Sequence, residues 1–177
     1  MRCSVYMAIS LDGFYAPTNG ELDWLNDLDT SHPMEDDLGF SAFMESIDVL
    51  LMGRRTFDQV HGMGVWPYGP KPVRVLTHRG LPVDLPENSD IKSMAGSPKD
   101  VAEQLHALGF SHIYVDGGEP VKAFLDDGLV DQLILTQVPV LLGEGRSFFN
   151  AYPNWDSYSI ECTASLPSGY QQFRIFR

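Results

Sequence analysis

The stretch Val49-Leu50-Leu51-Met52-Gly53-Arg54-Arg55-Thr56-Phe57 constrains this chain more than any other. A short apolar run, too short for a buried helix, reads as a strand covered on both faces. It runs into a glycine, two arginines and the start of a helix. A helix start carries free N–H groups and the positive end of the dipole, so it attracts anions. Glycine lets such a ligand approach the backbone, and paired arginines suit a phosphate.

The same junction recurs. Val73–Thr77 reads as a strand leading into His78-Arg79-Gly80, and His112–Val115 as a strand leading into Asp116-Gly117-Gly118-Glu119-Pro120. Together Gly53-Arg54-Arg55-Thr56, Thr77-His78-Arg79 and Gly117-Gly118-Glu119 suggest a glycine-lined, anion-tolerant cleft for an extended nucleotide, beyond the carboxyl ends of parallel strands. There is no G-x-G-x-x-G and no G-x-x-x-x-G-K-[ST], so neither a Rossmann fingerprint nor a P-loop is present. Metal-ligating, nucleophile-elbow and zinc-deaminase signatures are likewise missing, and His32, His61, His78, His106 and His112 lack ligand spacing.

The remaining segments alternate strand and helix. Cys3–Ile9 reads as a first strand, followed by a turn at Ser10–Gly13. Residues 14–32 read as irregular, and Trp24 among them marks either a lid or a packed surface loop. Pro33–Ile47 reads as a helix, with Glu35, Asp36 and Asp37 suiting its dipole. Gly62–Pro72 is a loop holding Trp66 and Tyr68. Ile91–Met94 reads as a short strand. Ser97-Pro98-Lys99-Asp100 opens a helix that Gly109 ends, and Gly128 stops the helix after the diglycine. Val130–Val140 is a long strand. Trp155–Ala164 and Tyr170–Phe176 form a terminal hairpin. The expected fold class is α/β, with a mostly parallel sheet and an antiparallel C-terminal edge, in one domain spanning residues 1–177.

Charge narrows the partners. The 177 residues carry a net charge of −12 with only 12 Lys and Arg, which disfavours nucleic acid and anionic membranes and makes basic clusters conspicuous. Two distant cysteines, Cys3 and Cys162, and no membrane-length apolar run fit a cytoplasmic protein with reduced thiols.

Met7-Ala8-Ile9-Ser10-Leu11-Asp12-Gly13, Met52-Gly53-Arg54-Arg55-Thr56-Phe57 and Val115-Asp116-Gly117-Gly118 together resemble the dihydrofolate reductase superfamily. The run from Phe124-Leu125-Asp126-Asp127-Gly128 to Pro139-Val140-Leu141-Leu142-Gly143-Glu144-Gly145 and Phe148-Phe149 is similar to one branch. That branch is the reductase domain of the bifunctional riboflavin-biosynthesis deaminase–reductase, with its stand-alone bacterial relatives.

The resemblance implies a dihydrofolate reductase-like three-layer fold with helices on both sheet faces, NADPH as cofactor and a homodimer. It puts the cofactor phosphates on Gly53, Arg54, Arg55 and Thr56, and the adenosine 2′-phosphate on Thr77, His78 and Arg79. Gly117, Gly118 and Glu119 fall near the pyrophosphate and nicotinamide. Asp37 falls where folate reductases place the carboxylate that contacts the pterin, and Thr136 matches its hydrogen-bonding threonine. Trp24, Phe40, Trp66 and Lys71 fall on the substrate side. Two departures weigh against folate: Ser41 replaces an aromatic, and Lys71 stands where an arginine would grip the glutamate tail. The implied activity is hydride transfer to a small heterocycle. A 5-amino-6-(5-phosphoribosylamino)uracil-type pyrimidine is favoured, with dihydrofolate or another pteridine as the alternative. A non-catalytic nucleotide-binding protein on the same fold is the remaining possibility.

Overall fold

The computed structural model describes residues 1–20, 23–26, 37–149 and 155–177. Its elements, in chain order, are β1 (Arg2–Ser10), β2 (Phe14–Ala16), α1 (Asp23–Asn26), α2 (Phe40–Ser46), β3 (Val49–Gly53), α3 (Arg54–Gly62), β4 (Val73–Leu76) and β5 (Ile91–Met94). They continue as α4 (Pro98–Ala107), β6 (His112–Asp116), α5 (Gly118–Asp126), β7 (Gln132–Val138), β8 (Arg146–Ser147), β9 (Ser159–Ser165) and β10 (Gln171–Phe176). Among the described residues, no helix is long and apolar enough to cross a membrane.

The principal sheet has eight strands in the order β5-β4-β3-β6-β1-β7-β10-β9, mostly parallel with an antiparallel C-terminal hairpin. The expected fold class is the one observed. The chain forms two compact units, each drawn from separate stretches. One comprises Met1–Val5 and Glu45–Val130, the other Tyr6–Met44 and Asp131–Arg177.

In the first unit β5, β4, β3, β6 and the start of β1 run parallel. Val49, Leu50, Leu51 and Met52 are fully buried, as the unbroken apolar run predicts for a strand covered on both faces. Phe57, Val101, Leu105, Val121 and Phe124 bury one stripe of α3, α4 and α5. Helix α4 starts where the sequence marks it. Asp100 N–H donates to Ser97 Oγ at 3.2 Å and Ser97 N–H to Asp100 Oδ2 at 3.3 Å, a reciprocal capping box with Pro98 in the first turn.

The second unit departs from expectation twice. The helix expected over Pro33–Ile47 is observed as Phe40–Ser46, and its expected start, including Glu35 and Asp36, lies outside the described residues. Leu38 (φ 51°) and Gly39 (φ 78°) adopt left-handed backbone that no α-helix contains, so α2 begins only after them. Residues 14–16, expected to be irregular, form β2 and pair with β8 through Phe14↔Ser147 and Ala16↔Arg146. The partner lies some 130 positions away, beyond the reach of local periodicity. The hairpin β9–β10 is present as expected, with a bulge between Gln172 and Phe173.

Candidate cofactor and substrate sites

The first unit brings two helix starts together. Gly53 ends β3 and caps α3; Gly117 follows β6 and caps α5; neither offers a capping side chain. A Cβ on Gly53 would lie 3.1 Å from Pro120 Cγ. A Cβ on Gly117 would lie 2.4 Å from Thr56 Oγ1 and 3.7 Å from the Gly53 nitrogen. Gly117 also holds φ at 90°, a conformation that glycine alone adopts readily. The two starts therefore pack closely against one another, and neither cap residue has a side chain of its own to bond the first-turn N–H groups. A pair of helix starts of this kind favours an anion.

Of the basic residues expected here, Arg55, His78 and Arg79 are exposed. Thr77 Oγ1 accepts from the Arg79 N–H at 3.0 Å, closing the turn after β4. Arg54 is half-buried and bonds to Asp58 and to the Gly80 carbonyl, which ties the first two junctions to one another. Gly118 is the first residue of α5, and Glu119 is exposed in that first turn. The Glu119 charge suits the helix dipole and opposes a bound anion, so it bounds the site on that side.

Asp116, at the end of β6, was not singled out by sequence reasoning. Burial pushes its carboxyl up to about 6, against the opposing hydrogen bonds from the Gly117 N–H and from Tyr114. The Gly117 bond is 2.8 Å long. The signal available in the sequence was an acid at the end of a buried strand, directly before a diglycine. Tyr68 has its phenol pushed up by burial and then by the Asp116 charge. Trp66 stands edge-on to Tyr68 at 5.1 Å and to Phe57 at 6.1 Å, and its buried indole N–H has no acceptor among the described residues. Lys71 Nζ donates to the Ile47 carbonyl at 2.7 Å, so its ammonium serves the chain that follows α2.

In the second unit Asp37 starts α2. Its Oδ1 accepts from Gly39 N–H at 2.8 Å and its Oδ2 from Ser41 N–H at 3.0 Å. The strained Leu38 beside it is pinned: its carbonyl accepts from Tyr6 Oη at 3.0 Å and from Gln172 Nε2 at 2.9 Å. The same Gln172 amide lies 2.9 Å from Tyr6 Oη and 3.4 Å from Thr136 Oγ1, while Thr163 Oγ1 donates to its Oε1 at 3.1 Å. Thr136 is thus buried in a polar cluster that includes the residue next to Asp37. Phe40 packs edge-on against Tyr6 at 5.1 Å, and Trp24 packs against Leu38, Val138 and Tyr170. Asp37, Phe40, Thr136 and Trp24 therefore share one neighbourhood. Tyr6 and Gln172, which hold that neighbourhood together, carried no motif and were missed.

Comparison with known proteins adds the family. The model of the RibD C-terminal domain matches residues 3–166. YwjB, an uncharacterized Bacillus subtilis (strain 168) protein, is 32% identical over 169 residues, covering 94% of this chain and 93% of its own. A Shewanella sp. PV-4 crystal structure, provisionally described as a riboflavin biosynthesis protein, is 34% identical with a TM-score of 0.82, covering 100% and 99% of the two chains. The Thermotoga maritima diaminohydroxyphosphoribosylaminopyrimidine deaminase/5-amino-6-(5-phosphoribosylamino)uracil reductase shares the fold at 15% identity and a TM-score of 0.72. It is covered over 56% of its length by 99% of this chain. Enterococcus faecalis dihydrofolate reductase, solved with NADP(H), shares it at 20% identity and a TM-score of 0.59, covering 99% of this chain and 96% of its own. The chain belongs to the RibD C-terminal domain family, a reductase family of dihydrofolate reductase-like fold.

Proposed function

We propose that this protein is an NADPH-dependent reductase that delivers hydride to a small heterocycle, favouring a 5-amino-6-(5-phosphoribosylamino)uracil-type pyrimidine over dihydrofolate. The observation that carries the reading is the meeting of two glycine-capped helix starts at Gly53, Thr56 and Gly117. The first turns of α3 and α5 hold the diphosphate through their N–H groups. Arg55 and Arg79, with Thr77 and His78, meet the 2′-phosphate, where a guanidinium fork suits the group. NADPH, when bound, supplies the hydride; the protein supplies orientation and electrostatics. Thr136, Phe40 and Trp24, which share one neighbourhood in the second unit, form the substrate-side group.

The preference over folate rests on two residues. Ser41 lacks the aromatic of the folate pattern, and Lys71 has its ammonium engaged at the Ile47 carbonyl. A second reading, a nucleotide-binding protein without turnover, is favoured by one observation: both oxygens of Asp37 accept backbone N–H groups at the start of α2, so turnover needs a proton source other than Asp37.

The test is NADPH oxidation against a panel holding the aminouracil ribityl and ribosyl phosphates and dihydrofolate, beside NADPH and NADH titrations of the wild type, Arg55→Ala and Arg79→Ala. The expected result is turnover on a pyrimidine, with each arginine variant losing about tenfold in NADPH affinity and little in NADH affinity. Equal losses for the two cofactors would sink the 2′-phosphate assignment. Tight NADPH binding without turnover on any substrate would establish the second reading.

A further inference from the structure

Arg54 opens α3, one position after Gly53, yet its guanidinium does not turn back toward the helix start. Nε donates to Asp58 Oδ1 at 2.7 Å and Nη1 donates to the Gly80 carbonyl at 2.7 Å. The side chain retains 20% of its exposure and its Cζ lies 6.0 Å from the centre of the Phe57 ring. The donors of a guanidinium point in fixed directions, so one fork serving a carboxylate and a carbonyl holds both in place. Asp58, one helical turn further on, orients the fork; Gly80 receives it.

Gly80 directly follows Arg79. The Arg79 N–H is held by Thr77 Oγ1 at 3.0 Å, and the next carbonyl along the chain is held by Arg54. Arg79 is therefore fixed on both sides by backbone hydrogen bonds while its own side chain stays exposed. A second tie runs from the other end of the same helix, where the His61 ring nitrogen donates to the Asp84 carbonyl at 3.1 Å. Helix α3 thus grips the connection after β4 at two points, one from each end.

We propose that Arg54 is a positioning residue, which fixes the Thr77–Gly80 turn against α3 and so sets the selectivity of Arg79 for a 2′-phosphorylated dinucleotide, rather than a phosphate ligand itself. The inference rests on the NADPH reading above. It makes Arg54 the link between the two junctions that the sequence shows as separate anion sites. It also makes Arg54→Lys a damaging change despite the conserved charge, because an ammonium has no fork.

Three measurements on the full chain test it. Calorimetric titration with NADPH and with NADH would compare wild type, Arg54→Lys, Arg54→Ala, Arg79→Ala and the double variant Arg54→Lys/Arg79→Ala. Arg54→Lys should lose about five- to tenfold in NADPH affinity and less than about twofold in NADH affinity, the scale of one charge-assisted contact. In the Arg79→Ala background the same change should cost less than about twofold, because the two residues act as one unit. Amide hydrogen exchange on the free protein should accelerate over residues 78–84 in Arg54→Lys and stay unchanged in α4. Full NADPH affinity in Arg54→Lys with loss only in Arg54→Ala would overturn the proposal in favour of a simple charge contact. So would an undiminished loss in the Arg79→Ala background, or unchanged exchange over 78–84. If Arg79→Ala weakens NADPH and NADH alike, the 2′-phosphate reading fails and the selectivity role fails with it. The exchange measurement, which needs no cofactor, still decides whether Arg54 positions the turn.

Discussion

Thr56 and Gly117 touch so closely that a single methyl on the glycine would sit 2.4 Å from the threonine hydroxyl. One residue belongs to the first turn of α3 and the other caps α5, 61 positions later in sequence. Gly117→Ala would combine this overlap with left-handed strain at φ 90°. The variant should lose roughly 2–4 kcal/mol of stability and at least about tenfold in NADPH affinity. Gly117→Ala/Thr56→Ala should regain part of the stability, because the overlap is relieved while the backbone strain remains. Chemical denaturation and cofactor titration read both. A Gly117→Ala protein that melts and binds like wild type would refute the packing.

Asp37 has two candidate roles that one pair of variants separates. Asp37→Ala removes both N–H acceptors of the α2 start and should cost about 1 kcal/mol. Asp37→Asn caps nearly as well and should restore most of that stability. Because both carboxylate oxygens are committed to the helix start, turnover should survive in Asp37→Asn within about threefold, the range of a change outside the chemical step. Loss of more than a hundredfold in kcat at wild-type stability would instead make Asp37 the proton source.

Asp116 gives the fold a pH dependence of defined sign. Its carboxyl ionises at about 6 in the native state against 3.8 without the burial. Between about pH 4 and 6 the native chain keeps a proton that the unfolded chain has released, so this group lowers stability as pH rises through that window. Asp116→Asn keeps an acceptor for Gly117 and Tyr114 without the charge. It should match wild type near pH 4 and exceed it at pH 8 by on the order of 1–3 kcal/mol. Thermal melts at the two pH values check this; a stability gap independent of pH would contradict it.

Gln172 is the hub of the polar cluster around the Leu38 carbonyl and Thr136. Gln172→Leu would strip donors from the Leu38 carbonyl and from Tyr6 while keeping the volume, at a cost of about 2–3 kcal/mol. Thr136→Val loses only the long 3.4 Å contact and should cost roughly 0.5–1 kcal/mol. Urea denaturation should rank the two in that order, and the reverse ranking would count against the network.

Much of this protein is legible along the chain because its signals are local. The unbroken apolar run at Val49–Met52, the Ser97–Asp100 capping box, and glycines 109 and 128 each act within a few residues, and each element formed where its chemistry predicts. The motif at Gly117 is likewise legible, because its left-handed backbone and its close approach to Thr56 demand glycine. Other features were decided by residues distant in sequence. Strand β2 exists because β8 pairs with it. Helix α2 begins only after Leu38 and Gly39, whose left-handed turn Tyr6 and Gln172 hold through the Leu38 carbonyl. Arg54 reads as a phosphate ligand in sequence, and only the fold shows that its guanidinium also holds the Gly80 carbonyl, 26 positions away. Periodicity and propensity act over one or two turns of chain. Which polar groups meet across distant stretches of chain is set by the packing of the sheet, and that packing brings the Gly53 and Gly117 helix starts together and ties Gly80 to Arg54.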